Sequence, residues 1–132
     1  MSVFESIGIA ATGATTYRKW LDAVSDNISN MNDAVSTSQS AFQERYVIAA
    51  PAADGNGVQV GGIALGSATG RVVYDPQNPL ADANGNVRYP DIDLSDQMGQ
   101  LIMAQRGYQA NLSVVDRAKD AYQAALQLGR SS

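Results

Sequence analysis

The stretch VFESIGIAATGATTYRKWLDAVSDNISNM, residues 3–31, decides how this chain folds. Apolar side chains recur in it at alternating spacings of three and four residues, which places them on one face of an α-helix. They are Ile7, Ala10, Ala14, Tyr17, Leu21, Val24, Ile28 and Met31. Over more than three heptads, this pattern predicts a helix that packs along its length against another helix. The alternative is an ordinary amphipathic helix buried on its own domain.

Two local features qualify this first helix. Ser2 and Glu5 have the spacing of a capping box, in which each side chain accepts a hydrogen bond from the other's backbone amide. Gly8 and Gly13 lie inside the helix, where each glycine costs about 1 kcal/mol relative to alanine. We therefore expect a helix with a defined start that is weak in isolation and becomes ordered on docking.

The C-terminal segment carries a second apolar series that predicts a second helix. Its members are Leu94, Met98, Leu101, Tyr108, Leu112, Val115, Tyr122 and Leu126. Asp91, Asp93 and Asp96 cluster at its start, where the helix dipole favours negative charge, and Gly129 is placed to end it. About 35 residues give a rod of roughly 50 Å. Such a rod is long for a small domain, so we expect the terminal helices to pair with each other and with neighbouring subunits.

The middle of the chain has a different composition. All four prolines lie between residues 51 and 90, and residues 46–48, 58–60 and 71–74 are rich in β-branched and aromatic side chains. Asn84-Gly85 indicates a tight turn. We predict an α+β fold in which long N- and C-terminal helices form a coiled-coil-like pair. Residues 1–33 and 91–130 form the helical core, residues 34–45 a flexible connection, and residues 46–90 a small β-rich domain.

The composition excludes several classes of function. The 132 residues include no cysteine and no histidine, which excludes disulfides, thiol catalysis, His-based triads and Cys/His zinc sites. The net charge of −4 argues against nucleic-acid binding. We find neither a typical secretory signal nor an apolar run long enough to span a membrane, and we expect no cofactor. If the protein leaves the cytoplasm, we expect a route that needs no cleaved signal.

Acidic residues offer two weaker hypotheses. Residues 82–86 resemble the start of a calcium loop with Asp93 at its twelfth position, but Val87 stands where the loop needs its glycine, and a polar turn explains the same residues. Asp91 and Asp93 could form an acid–base pair, although capping of the following helix accounts for them. A free-standing α+β binding module, possibly calcium-dependent, is therefore the alternative to an interaction protein without enzymatic activity.

Three asparagines lie close to the predicted helix contacts. The amides of Asn27, Asn30 and Asn111 could form hydrogen bonds across packed helices and fix their register, as a polar residue in a coiled coil does. Solvent-facing helix polarity is the alternative for each of them.

Several short sequence motifs resemble those of a known family. YDPQNPLAD at residues 74–82, GNVRYP at 85–90, QRGYQAN at 105–111 and ALQLGR at 125–130 keep the spacing of a known signature. Arg18, Asp22, the DNISN word at residues 26–30 and the Arg45-Tyr46 step extend the match to the N-terminal half. The chain thus resembles the FlgC family of flagellar basal-body rod proteins over nearly its whole length.

This resemblance implies a structural subunit of the proximal rod of the bacterial flagellum. Such a subunit transmits torque, lines the export channel with its terminal helices, and assembles with copies of itself and other rod proteins. It is exported across the inner membrane by the flagellar type III apparatus without a cleaved signal. On this interpretation the apolar residues pack helices and subunits together. They are Ile7, Tyr17, Leu21, Val24, Ile28, Met31, Leu101, Tyr108, Leu112, Val115 and Tyr122.

Overall fold

The computed structural model describes residues 2–132 and consists of two long helices connected through two short hairpins. In chain order the elements are α1 (Val3–Asn30), β1 (Arg45–Pro51), β2 (Val58–Leu65), β3 (Arg71–Tyr74), β4 (Asn86–Tyr89) and α2 (Leu94–Ser131). The two helices pack against each other, and the strands form a small antiparallel centre. The predicted α+β class, with paired terminal helices around a β-rich middle, is confirmed.

Helix α1 begins as its sequence predicts. The Glu5 N–H donates to the Ser2 hydroxyl at 3.1 Å, and the Ser2 N–H donates to the Glu5 carboxylate at 2.6 Å. This reciprocal pair is the predicted capping box. The helix runs for 28 residues, about 42 Å, and Met31 follows it as the C-cap. Met31 therefore lies just beyond the last helical residue.

Helix α2 is longer than predicted. It starts at the expected place, where the Asp93 side chain accepts a hydrogen bond from the Asp96 N–H at 2.9 Å. Its predicted end at Gly129 is wrong, because the helix continues to Ser131. Hydroxyl groups of the last two residues donate to the carbonyls of Leu128 and Gly129, which satisfies acceptors that a glycine cap would otherwise serve. The helix spans 38 residues, about 57 Å.

Strands β1 and β2 form an antiparallel hairpin that packs along α1. Arg45 lies opposite Leu65, and the register shifts between Ile48 and Ala49, so that Gly61 is the extra residue of a bulge. At the other end of the hairpin, the Val58 N–H donates to the Thr12 hydroxyl at 3.1 Å. The helix thus positions the hairpin at a defined point along its length.

Strands β3 and β4 form a separate antiparallel hairpin with a small core of its own. Val73 lies opposite Val87, which is fully buried together with Pro90. Of residues 34–45, predicted to be a flexible connection, Arg45 begins β1 and residues 34–44 form no helix or strand, but hydrogen bonds connect them to the β3–β4 hairpin. Val35 and Arg88 exchange backbone hydrogen bonds of 2.9 and 3.0 Å, and the Arg88 guanidinium donates to the Thr37 carbonyl.

Candidate functional site

The antiparallel pair of α1 and α2 is the candidate functional site, because it contains the residues that the sequence singles out for packing. Three contacts define how the helices run. Asn27 meets Gln97 at one end, Trp20 donates to the Gln100 side chain at 3.1 Å farther along, and Phe4 meets Tyr122 at the other end. The helices are therefore antiparallel and in contact over the whole of α1.

A buried polar network, which we call the polar anchor, joins three elements at the first of these ends. It consists of Asn27, Gln97, Glu44 and the backbone of Arg45. Asn27 and Gln97 are both 0% exposed. The Asn27 amide donates to Gln97 and to the Arg45 carbonyl, each at 3.0 Å, and accepts from the Arg45 N–H at 2.8 Å. A helix side chain thus pairs with the first residue of β1 as a neighbouring strand would.

The anchor continues from the helices to the start of the β1–β2 hairpin. Gln97 donates to the Glu44 carboxylate at 2.5 Å, and the Tyr46 hydroxyl donates to the other oxygen of the same carboxylate. The hydrogen bond to Glu44, aided by burial, raises the pKa of Tyr46 to about 12. Beside the anchor, Arg45 forms an ion pair with Asp26 at 2.5 Å, although both side chains are largely exposed.

In the middle of the pair, two glycines allow the helices to approach closely. A Cβ added to Gly107 would lie 2.3 Å from the ring of Tyr17, and one added to Gly13 would lie 2.4 Å from the Asn111 amide oxygen. Each helix therefore places a large side chain over a glycine of the other at neighbouring levels. The sequence suggested that Gly13 weakens α1; the structure shows that it makes room for α2.

At the far end the contact is open and apolar. The rings of Phe4 and Tyr122 lie 5.1 Å apart and are tilted by 60°, which is a favourable aromatic geometry, yet Phe4 is 65% exposed. Beyond Tyr122 we call residues 123–131 of α2 the overhang. Because α1 begins at Val3, the overhang faces no part of α1. Leu126 and Leu128 in it are 50% and 72% exposed.

The predicted packing residues occupy different places in the pair. Val24 is fully buried and most of the others are partly buried, whereas Leu112 and Tyr122 are exposed. The partly buried residues are Ile7, Tyr17, Leu21, Ile28, Met31, Leu101, Tyr108 and Val115. On α2, Leu94 and Met98 are exposed, and within the chain Gln97 and Ala104 take the buried positions instead. A search for large apolar residues misses these, because small and polar side chains fill a close helix contact.

The three predicted asparagines differ in what they bind. Within the described residues, Asn27 forms its hydrogen bonds across to α2 and β1. Asn30 donates to the Asp26 carbonyl and Asn111 to the Gly107 carbonyl, each one turn back in its own helix, at 2.8 Å. Asn111 nevertheless packs over Gly13, so its side chain contributes shape to the helix contact.

Sequence reasoning missed Gln97, Glu44 and Gly107 as parts of this site. Gln97 and Glu44 carry no apolar signal, and their importance depends on residues 53 positions apart meeting in space. Gly107 was visible inside the QRGYQAN word. A glycine in the interior of a predicted 35-residue helix is unfavourable without a reason, and close approach of another helix is such a reason.

Residues 82–86, for which a calcium loop was the weaker hypothesis and a polar turn the other, form a turn in which the Asp82 carboxylate binds neighbouring groups of the chain. The Asp82 side chain accepts hydrogen bonds from the backbone amides of Asn84 and Asn86, each at 2.9 Å, and from the Thr37 hydroxyl at 2.8 Å. The Asn86 amide, followed by Thr37, lowers the pKa of Asp82. Among residues 2–132 no cluster of three acidic side chains is arranged to hold a metal ion. Nothing in this loop favours the calcium-dependent alternative.

Neither α1 nor α2 combines the length and apolar character that a membrane span requires, and no other helix occurs among residues 2–132. This agrees with the charged residues spread along both helices. The candidate site is accordingly a helix pair whose exposed apolar positions face the surroundings of the protein.

Comparison with known proteins gives consistent matches. A family described as the C-terminal region of flagellar basal body rod FlgEFG proteins matches residues 83–128, which include β4 and most of α2. The chain is 31% identical to the flagellar basal-body rod protein FlgC of Salmonella typhimurium over 134 residues, covering 98% of this chain and all of that protein. It is 28% identical to FlgC of Borreliella burgdorferi, covering 97% and 98%, and 27% identical to FlgC of Bacillus subtilis, covering 98% and 100%.

Proposed function

The chain belongs to the FlgC family of flagellar basal-body rod proteins and is a structural component of the flagellar rod, and we propose that in the rod it transmits torque and lines the export channel. It does so as one of many subunits in a helical assembly of its own copies and other rod proteins. We further propose that it reaches the basal body through the flagellar type III export apparatus without a cleaved signal.

The observation that carries this proposal is the overhang at the end of α2. A chain that folded for itself alone would gain little from a helix whose last nine residues face none of the other elements among residues 2–132. Burying a large apolar side chain stabilises a contact by about 1.5–3 kcal/mol, so Leu126 and Leu128 are suited to hold a neighbouring subunit. The exposed Leu112 and Tyr122 extend this surface toward the middle of α2.

We assign each packing residue to contacts within the chain or between subunits according to its burial. Val24, Tyr17 and Leu101 act mainly within the chain, because α1 and α2 already cover much of them. Ile7 and Tyr122 lie toward the open end of the pair, and Leu112 is exposed near its middle; we assign all three to contacts between subunits. Repetition of one such heterologous contact produces a helical array, which is the geometry of a rod.

The asparagines are assigned in the same way. Asn27 fixes the register of α1 against α2 and the hairpin, since its amide bonds to both. Asn30 and Asn111 form hydrogen bonds within their own helices, and Asn111 fixes register by packing over Gly13.

A double substitution in the overhang tests the proposed function. Leu126→Gln with Leu128→Gln changes two exposed side chains, so the purified chain should unfold at the same urea concentration as the unchanged chain. In cells lacking the natural gene, the variant should fail to restore swimming and should be absent from purified basal bodies. The matched control is Leu80→Gln, which alters an exposed leucine of the β3–β4 loop and should restore swimming. Full motility of the double variant would contradict the proposed role of the overhang.

A further inference from the structure

Each of the two hairpins has one outer edge that the chain itself occupies and one that it leaves open. On β1, the Asn27 amide binds both the N–H and the carbonyl of Arg45. On β4, Val35 exchanges two backbone hydrogen bonds with Arg88. The first residue of β2 is also covered, because the Val58 N–H donates to the Thr12 hydroxyl, but the rest of its outer edge and the outer edge of β3 have no such partner among residues 2–132. An unpaired strand edge is a template for another strand unless the protein blocks it.

The blocked edges show which backbone groups of the open edges point outward. In an antiparallel ladder, opposite residues either exchange hydrogen bonds with each other or direct all their backbone groups away. The backbone N–H and carbonyl of Arg45 point outward to Asn27. Leu65 lies opposite Arg45, so its N–H and carbonyl point away from β1. The alternation repeats two residues along, at Ile63 opposite Val47. The open edge of β2 thus presents the N–H and carbonyl groups of Ile63 and Leu65.

The second hairpin has the same alternation along its open edge. Arg88 directs its groups to Val35, so Val72 opposite it points outward from β3. Asn86 directs its N–H and carbonyl to Asp82, so Tyr74 opposite it also points outward. The open edge of β3 thus presents the groups of Val72 and Tyr74. Both open edges offer two residues with the same spacing of two.

We propose that β2 of one copy pairs with β3 of a second copy as antiparallel strands, with Ile63 opposite Tyr74 and Leu65 opposite Val72. This inference rests on the proposed function, for which it names a partner and a surface. The pairing forms four backbone hydrogen bonds between the copies. It also joins side chains that are exposed in the single chain by 49% and 57% on β2 and by 71% and 52% on β3.

Charge and shape suit this register. Strand β2 contains no charged residue and no proline. Arg71, the first residue of β3, and Asp75, which follows β3, fall opposite Gly66 and Gly62, which carry no side chain. The Tyr74 ring of the second copy lies beside Ile63, at a cleft of about 420 Å³ between β2 and α1 that Lys19 and Asp22 also line. Aromatic side chains opposite β-branched ones are favourable cross-strand pairs.

The pairing is heterologous, so each copy can bind a further copy through the strand edge that stays open. Each copy receives a strand on β2 and donates its own β3 to the next copy, so the contact does not close into a dimer. A symmetric pairing of two β2 edges would close and stop. Of these two arrangements, the pairing of β2 in one copy with β3 in the next suits a component of an extended rod.

Engineered cysteines test this contact, because the chain contains none of its own. Leu65→Cys and Val72→Cys are made in separate copies and expressed together, and rods are purified and mildly oxidised. Residues that exchange hydrogen bonds in an antiparallel pair have Cα atoms about 5.5 Å apart, within the range that a disulfide spans. The matched control pairs Val72→Cys with Ile48→Cys, which is 50% exposed on β1. Mass spectrometry should find the 65–72 disulfide at least about tenfold above the 48–72 disulfide, given these geometric limits.

The outcomes separate this inference from the proposed function. Rods that contain both cysteine variants without excess 65–72 disulfide overturn the strand pairing and leave the rod role intact. An excess of the 65–65 disulfide also overturns it, in favour of two β2 edges. If the variants do not enter rods, the same pair is mixed as purified chain at high concentration, and no 65–72 excess there overturns the inference.

A proline variant gives an independent measurement. Leu65→Pro removes an N–H that points away from β1, so the ladder of the hairpin stays complete, whereas Ala64→Pro removes a bond within it. We expect Leu65→Pro to keep the urea midpoint of the purified chain and to lower the yield of rods several-fold. A normal yield with Leu65→Pro would argue against the pairing.

Discussion

At the end of the helix pair where Asn27 meets Gln97, both side chains are fully buried, whereas at the opposite end the ring of Phe4 remains 65% exposed. The first end is held by polar groups that find partners in α1, in α2, in β1 and at Glu44, the residue that precedes β1. The second end has an aromatic contact between Phe4 and Tyr122 and continues into the overhang, whose leucines remain exposed in the part of the chain that the structure describes. The difference indicates that the first end specifies the fold of the single chain, whereas the second leaves apolar side chains accessible.

The largest expected effect comes from removing the polar anchor. Asn27→Leu leaves the partly buried Arg45 N–H and carbonyl and the buried Gln97 amide oxygen without the partner that Asn27 provides, and each such group costs up to about 1–3 kcal/mol. After allowance for partial relaxation, we expect a loss of about 3 kcal/mol in the free energy of unfolding. Urea denaturation followed by circular dichroism measures it.

Asn30→Leu is the matched control for this change. Asn30 is an asparagine of the same helix, only partly buried, and it forms its hydrogen bond with the Asp26 carbonyl one turn back. We expect it to lose less than about 1 kcal/mol, the typical effect of a local side-chain bond. Equal losses for the two substitutions would mean that the anchor does not distinguish this end from the rest of α1.

The second-largest effect on stability is expected in the middle of the helix pair. Gly107→Ala places a methyl group against the Tyr17 ring, and overpacking of this kind costs about 1–3 kcal/mol even though alanine favours the helix. Gly99→Ala in the same helix meets nothing within 4 Å and should stabilise the chain by up to about 1 kcal/mol. Thermal unfolding of the two variants should shift in opposite directions; a shift in the same direction would show that the close approach is unimportant.

These two sites also show what the sequence could and could not predict. Capping at Ser2 and Glu5 and the N-terminus of α2 at Asp93 depend on residues close together in the chain, so local rules found them. The helix pairing followed from the periodicity of α1. The polar anchor did not follow, because Glu44 and Gln97 become neighbours only when the whole chain folds. The buried positions of α2 were also missed, because Gln97 and Ala104 give no hydropathy signal.

A smaller effect is expected at the far end. Phe4→Ala and Tyr122→Ala each remove part of an exposed aromatic contact, and we expect losses of about 1 kcal/mol or less with a coupling energy near 0.5 kcal/mol. A double-mutant cycle by urea denaturation measures the coupling. A coupling above about 2 kcal/mol would show that this end is held as firmly as a buried contact and would remove the contrast with the anchor.

The smallest expected effect on the free energy of unfolding comes from the ionisation of Tyr46, which lies beside the anchor. Its pKa is raised from 10.0 to about 12, first by the hydrogen bond that it donates to Glu44. A group with a raised pKa in the folded state contributes stability that is complete below its unfolded pKa and is lost as pH rises through its folded pKa. The free energy of unfolding should therefore decline between pH 10 and 12, by less than about 1 kcal/mol because Tyr46 is 41% exposed and water screens the interaction.

Tyr46→Phe isolates this contribution, since it removes the hydroxyl and leaves the Gln97–Glu44 bond in place. The unchanged chain should lose its advantage over this variant across the same pH interval. Tyr74→Phe is the control, because the Tyr74 side chain is 71% exposed. A Tyr46→Phe difference that stayed constant from pH 9 to 12 would show that the Tyr46 hydroxyl is not coupled to the anchor.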